Sequence, residues 1–394
     1  MISVEEARAL LMDLVSPLET EEVPLAEAAG RVLVKDAVAR RRQPPFSASA
    51  MDGYAVKAPE VEQHAMFKVI GESAAGHRFD GTAGAGQAVR IFTGAPVPQG
   101  ADFVVIQEDV SRSGDLITIT NEPGDNHNIR PAGGDFEDGQ TVSAPRVLTP
   151  ADIALLAAMN IPAVTVTRRP DIALISTGDE LVMPGEDPGP DQIIASNTFG
   201  LKAMLEAAGA RARILPIARD TESSLKMAFS LAGGADLAVT IGGASVGDHD
   251  LVGKVAADLG MERSFYKVAM RPGISGLPGR MAGRLNSGAM VGLPGNPVSA
   301  MVCGALFLVP MVKSMLGLGA EAAEPLNATL AGPVTKNGPR QHYMRARIEG
   351  GRLTAFDNQD SSLLTVLAAA NALLIRPPHD PARAAGETVR YLPL

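Results

Sequence analysis

Ile172-Ala173-Leu174-Ile175-Ser176-Thr177-Gly178-Asp179-Glu180-Leu181 decides the architecture of this chain. An apolar run enters a loop of small residues and hydroxyls that carries two carboxylates. The design recurs where residues 237–241 lead into Gly242-Gly243-Ala244-Ser245-Val246-Gly247-Asp248. It recurs again where residues 289–293 lead into Pro294-Gly295-Asn296-Pro297. Helical patterns lie between these strands. One runs over 197–208, with Asn197 as its cap and Gly209 as its stop. Others cover 221–231, 250–259 and 298 onward, and further strands are expected at 212–217 and 263–268. Strands alternating with helices predict a parallel sheet covered on both faces, with ligands beyond the carboxyl ends of its strands.

On either side of this unit the pattern changes. At the N-terminus Ser3 caps a short helix with Glu6 as capping-box partner, and apolar Ala7, Leu10, Leu11 and Leu14 follow. A second short helix is expected over 25–33, ended near Gly30, and 34–39 reads as extended. Strand-like runs at 67–70, 88–92, 103–106 and 116–119, separated by Gly and Pro turns, predict a β-rich domain. Thr149 caps a helix over 151–159 with Pro150 at its first position, and 164–167 reads as a strand. After 319, runs at 327–330, 343–348, 353–356, 372–375 and 388–391 fit a small closed β domain.

With 394 residues, the chain is too long for one ordinary core. Hydrophobic residues at 46% and charged residues at 20% describe a soluble globular protein. A net charge of −9 with no basic stripe argues against nucleic acid as a partner. The single cysteine, Cys303, lies in an apolar run and reads as a buried small side chain. With no second cysteine a disulfide framework is excluded, and a reducing, cytoplasmic setting is expected. Residues 1–14 hold Glu5, Glu6 and Asp13 and no basic or long apolar region, so no signal peptide is read. The uncharged run 287–312 is broken by Pro294, Pro297 and Pro310 and predicts a buried helix, not a membrane span.

Glycines let backbone N–H groups approach a phosphate, and a helix N-terminus adds partial positive charge. Ser176, Thr177 and Ser245 add hydroxyl donors beside Gly178, Gly242, Gly243 and Gly247. One such loop is weak evidence, since ordinary α/β turns use the same residues. Three in one sheet point to an anionic, phosphate-bearing ligand. Asp179, Glu180, Asp220, Asp248 and Asp250 all follow predicted strands on that edge. Carboxylates beside phosphate imply a divalent cation with oxygen ligands, most often Mg²⁺, although Asp220 taken alone reads better as a helix cap, and Asp248 and Asp250 also fit caps. His249 has no second His or Cys at zinc spacing. Lys267 and Arg271 are either oxyanion ligands or solvated cations. No Walker loop, nucleophile elbow or dinucleotide fingerprint is present.

Five stretches in chain order resemble the molybdopterin molybdenumtransferase family, that of MoeA and the gephyrin E domain. They are Pro45-Phe46 with Ser49-Ala50-Met51-Asp52-Gly53-Tyr54-Ala55, then Thr93-Gly94-Ala95-Pro96, and then Ser176 to Leu181. Gly242-Gly243 to Gly247 with Asp250 follow, and Gly292-Leu293-Pro294-Gly295-Asn296-Pro297-Val298-Ser299-Ala300 completes the set. The resemblance implies a multidomain α/β plus β protein. Its expected parts are an elongated dimerisation domain (1–45 and 146–170), an inserted β-rich domain (46–145), a molybdopterin-binding α/β domain (171–317) and a C-terminal β barrel (318–394).

It also implies a homodimer with each active site in a cleft between subunits. Molybdate and adenylylated molybdopterin are the implied substrates, with Mg²⁺-dependent release of AMP giving molybdenum cofactor. The molybdopterin adenylyltransferase and recipient molybdoenzymes are the implied protein partners. Carried over by position, Asp52, Thr93, Asp135, Glu180, Asp220, Asp250, Lys267 and Arg271 are catalytic candidates. Glu180, Asp220 and Asp250 are the metal ligands, and Pro294, Pro297, Arg345 and Ser361 join the loop residues in cofactor binding. One departure stands out: Ile274 occupies a position where the family usually has a lysine, with Arg280 and Arg284 nearby. It keeps open a non-catalytic paralogue that carries the pterin. A molybdopterin adenylyltransferase is the other alternative, set apart by lacking the N-terminal 150 residues seen here.

Overall fold

The computed structural model describes residues 2–242, 251–264, 268–272, 279–281, 288–319 and 324–394. Gly243, Ser245, Gly247, Asp248, His249, Asp250, Lys267, Ile274 and Arg284 lie outside the described residues, and so does the side chain of Arg280.

The central sheet runs in the order Arg211–Ile214, Asp171–Ser176, Leu237–Ile241, Ala289–Leu293, Gly279–Met281, Met261–Arg263. The first four strands are parallel; Gly279–Met281 runs antiparallel to them and pairs antiparallel with Met261–Arg263 in turn, so the sheet is mixed where a wholly parallel one was expected. Leu237–Ile241 and Ala289–Leu293 are buried at every position. Their side chains divide by the two-residue period of a strand. Leu174, Val239 and Val291 face a core completed by Leu201, Leu205, Phe307 and Met311. Ala173, Ile175, Ala238 and Met290 face a second core with Leu225, Phe229, Val252 and Val255. Helices thus cover both faces.

Of the strand expected at 263–268, only Arg263 lies in the sheet among the described residues; Val268 bridges to Ile2, and residues 265–267 lie outside the described residues. Met261–Arg263 forms the sheet edge, and Met270–Arg271 leaves the sheet to pair with Gln341–His342. Helix caps follow their chemistry. Ser3 with Glu6, and Thr149 with Asp152, form reciprocal capping boxes. Thr221, not Asp220, caps Glu222–Leu231, its hydroxyl accepting from the Ser224 N–H. Asn197 does not cap its helix: Ser196 occupies the cap position without a side-chain bond, and Asn197 Nδ2 donates to the Gly295 carbonyl at 2.7 Å.

The apolar run after Asn296 forms one helical rod, Pro297–Met315, most of it buried. By length and composition it could cross a membrane; burial makes it a core helix. Pro310 does not end it, because a π turn over Gly304–Leu308 absorbs the missing donor. Cys303 is fully buried there, and burial pushes its thiol up.

Residues 25–33 form only a 3₁₀ turn, Leu25–Glu27, followed by Val32–Leu33. Val32–Leu33 joins a four-stranded sheet with Thr20–Pro24, Ala163–Thr167 and Arg146–Val147, so tertiary pairing overrides local helix preference. Between these segments lies a six-stranded sheet, ordered Phe103–Ile106, Gly53–Val56, Gln87–Ile91, Met66–Ser73, Leu116–Ile119, Val110–Ser113.

In the C-terminal region Gln341–Glu349, Arg352–Ala355, Leu326–Leu330, Thr388–Pro393 and Ala372–Arg376 close into a five-stranded barrel, since the last strand pairs back onto the first. Arg376 is 1% exposed, and its guanidinium meets Asp380, itself 7% exposed. Replacing one partner of a buried ion pair strands the other. Asp380→Ala is therefore expected to destabilise the barrel by about 3 kcal/mol in denaturant unfolding, whereas Arg347→Ala, whose pair is exposed, should cost less than about 1 kcal/mol.

Candidate active-site cleft

Three parallel strands end side by side, and their exits fit together through glycine. The Thr177 N–H donates to the Ile241 carbonyl and the Gly242 N–H to the Leu293 carbonyl, each at 3.0 Å. Gly242 has φ +87°, and a Cβ there would lie 2.8 Å from the Thr177 carbonyl oxygen. A Cβ on Gly295 would sit 3.4 Å from the Gly242 Cα. No other residue type meets both demands at 242. A cleft of about 390 Å³ opens above this junction. Ser176, Thr177 and Glu180 line one side, Gly242, Gly295, Asn296 and Pro297 another, and the 193–197 segment a third.

The loop after Ser176 is held from below. Arg219 Nη1 donates to the carbonyls of Asp179 at 2.9 Å and Leu181 at 3.1 Å. Asp179 Oδ1 accepts from the Asp220 N–H at 3.1 Å. Asp179, Glu180 and Asp220 are thereby gathered, and the Asp220 carboxyl is pushed above the usual range by partial burial, then by the charges of Asp179 and Glu180. This accumulation of negative charge fits a divalent cation. Among the described residues, however, no group of three or more His, Cys, Asp or Glu side chains is arranged to hold a metal. The third expected ligand, Asp250, lies outside them.

Asp52 belongs to a different place. Its Oδ1 accepts from the Thr93 N–H at 2.7 Å and the Thr93 hydroxyl at 2.8 Å. These bonds, with a weaker contribution from Arg90, hold the Asp52 carboxyl below the usual range. Asp52 is therefore a half-buried, ionised group on the inserted β sheet, paired with an exposed threonine turn. Gly53 beside it is obligatory: a Cβ would stand 2.0 Å from the Val105 carbonyl oxygen of the neighbouring strand. The turn carrying Asp135 packs on Gln43, and Ala50 N–H donates to Asn128. Neither Asp52, Thr93 nor Asp135 lines the cleft at the sheet edge.

Other expected residues fall elsewhere. Arg271 lies exposed, beside His342 in the barrel register. Burial first, then Arg271, Arg345, Arg376 and Arg340, push His342 down to about 4. Arg345 is 2% exposed; its Nη1 donates to the Asp360 carbonyl at 2.9 Å, and its N–H to Gln359 Oε1. It anchors the 359–363 turn and does not line the cleft. Ser361 of that turn accepts from the Val298 N–H at 3.0 Å, so the barrel touches the helix that begins at Pro297. Pro294 precedes the cleft without lining it.

Sequence reasoning missed Ile193, Ile194, Ser196 and Asn197, which form the third wall. The Ile193 N–H donates to the Glu180 carbonyl at 2.8 Å, and Ile193 and Ile194 are 58% and 38% exposed. An exposed apolar pair within polar sequence was the available signal.

The whole defines a multidomain α/β protein with a polar cleft at the carboxyl ends of its sheet. Residues 2–160 match the MoeA N-terminal region (domain I and II), 173–314 a probable molybdopterin binding domain, and 327–394 the MoeA C-terminal region (domain IV). A Haemophilus influenzae molybdopterin molybdenumtransferase is 36% identical over 80% of this chain and 78% of its own. Molybdopterin molybdenumtransferase 2 of Mycobacterium tuberculosis is 34% identical over 95% of each. The molybdopterin biosynthesis moeA protein from Pyrococcus horikoshii OT3 superposes with a TM-score of 0.81 at 27% identity, covering 100% of both chains. The chain belongs to the molybdopterin molybdenumtransferase family, transferases of molybdenum cofactor biosynthesis.

Two outcomes test this geometry. Gly53→Ala is expected to destabilise the inserted sheet by about 1–3 kcal/mol, read by denaturant unfolding, because the strand pair must part to admit the methyl group. Asp220 favours its protonated form in the fold, so its contribution to stability falls as pH climbs from the ordinary carboxylate range through its raised value. Asp220→Asn should therefore unfold at a higher temperature than the parent at neutral pH, and the difference should vanish below the carboxylate range.

Proposed function

We propose that this chain inserts molybdenum into molybdopterin, taking adenylylated molybdopterin and molybdate and releasing AMP in a Mg²⁺-dependent step. The observation that carries this reading is the glycine-floored cleft, which lies wholly within the residues matching the probable molybdopterin binding domain. The names of the Haemophilus and Mycobacterium relatives support the transfer of molybdenum.

In this reading the Ser176–Thr177 and Gly242 loops receive the phosphates, and Asn296–Pro297 with the exposed Ile193–Ile194 pair receives the ring system. Glu180 and Asp220, together with Asp250, would hold Mg²⁺, which when bound neutralises charge on the pyrophosphate linkage. Lys267 and Arg271 bind the molybdate oxyanion. Asp52, kept ionised by Thr93, orients groups at the site once its sheet meets the cleft. Because Asp52 and Thr93 line no part of the cleft of their own chain, the reading includes a homodimer in which the inserted domain of one subunit completes the site of the other. Arg345 acts indirectly, through the turn that carries Ser361.

Purified protein given adenylylated molybdopterin, molybdate and Mg²⁺ should release AMP, and chelation of Mg²⁺ should stop it. Asp52→Ala and Glu180→Ala are each expected to lower turnover by about a hundredfold or more. Full activity in both variants would refute these assignments.

A further inference from the structure

Arg90 lies against both arms of the Asp52 corner. It lies on Gln87–Ile91, directly opposite Tyr54 in the antiparallel register. Its Nη1 donates to the Gly53 carbonyl at 3.0 Å, and its Nη2 to Gln107 Oε1 at 2.6 Å. The backbone N–H of the same Gln107 donates to the Asp52 carbonyl at 3.0 Å. Two successive carbonyls, those of Asp52 and Gly53, are thus fastened by one guanidinium, one directly and one through Gln107. The guanidinium carbon lies 5.1 Å from the Tyr54 ring centroid and 4.7 Å from that of Phe92, the residue preceding Thr93. Both arms of the corner, the Asp52 strand and the Thr93 turn, therefore carry an aromatic face against one cation.

Among the described residues no carboxylate forms a salt bridge with Arg90. Its charge is left to act on the carbonyls, the rings and the field at Asp52. A guanidinium donates in two fixed directions within a plane and stacks on rings; an ammonium does neither. The arrangement uses both properties.

We propose that Arg90 is a positioning residue for molybdenum transfer, locking the peptide groups around Asp52 so that its carboxylate stays seated on Thr93. The assignment rests on the proposed function in one respect only: the reaction that Asp52 serves. Loss of the lock frees Asp52 from its two Thr93 bonds, and the carboxyl then returns toward its ordinary range.

The test compares full-length parent, Arg90→Lys and Gln107→Ala. Asp52 is titrated by carbon NMR, with Asp52→Asn identifying its signal, and AMP release is followed against pH. In Arg90→Lys, turnover should fall about tenfold to a hundredfold, as expected for a reacting group displaced by about 1 Å. The molybdate KM should stay within about twofold, since the oxyanion ligands are untouched. The Asp52 titration and the acid limb of the profile should move upward together. Gln107→Ala should move both in the same direction by less. Wild-type turnover and an unmoved Asp52 titration in Arg90→Lys would overturn the proposal. So would a lowered unfolding midpoint with an unmoved titration, which marks a merely structural role. If the parent releases no AMP, the functional reading fails, and the Asp52 titration alone decides the role of Arg90.

Discussion

The close approach of three strand ends is the constraint on which the rest depends. Thr177, Gly242 and Gly295 bring their backbones together so tightly that a methyl group at 242 would press on the Thr177 carbonyl oxygen. That junction exists because the strands behind it are buried on both faces and held in parallel register. It turns the end of a sheet into the floor of a cleft. The Thr177 and Gly242 N–H groups are used in holding the junction itself; what glycine provides at the floor is room for a ligand to approach.

Several elements are arranged around that floor. Arg219 draws the Asp179–Leu181 turn down beside Asp220 and concentrates negative charge on one wall. Asn197 ties the opposite helix to Gly295. The barrel reaches the start of the Pro297 helix through Ser361, and its own geometry depends on Arg345 and on the buried Arg376–Asp380 pair. The Asp52–Thr93 corner is built separately, on another sheet, with its own glycine demand at 53. The two half-sites stand on different sheets, and the proposed homodimer is what would bring them together.

Local rules made part of this legible beforehand. Ser3 with Glu6, and Thr149 with Asp152, cap helices as their spacing predicts, because a cap is decided within four residues. Buried strands at 172–175 and 237–241 were equally plain from their apolar runs. What could not be read depended on contacts between distant segments. Asn197 looked like a cap but bonds Gly295. Residues 25–33 looked helical but are claimed in part by a sheet. Arg345 was placed at the site by resemblance alone; that its guanidinium donates to the Asp360 and Leu363 carbonyls of its own domain is set by the barrel's turn, not by any local motif. Motif glycines were visible, but their reason, the distance to a neighbouring carbonyl, is a three-dimensional fact.

Titration calorimetry of adenylylated molybdopterin into the parent and Gly242→Ala tests the central claim most directly. The parent is expected to bind, and the added methyl group, by forcing the strand exits apart, to weaken binding at least about tenfold, or about 1.4 kcal/mol, while circular dichroism stays unchanged. Equal affinity in a folded Gly242→Ala protein would contradict it.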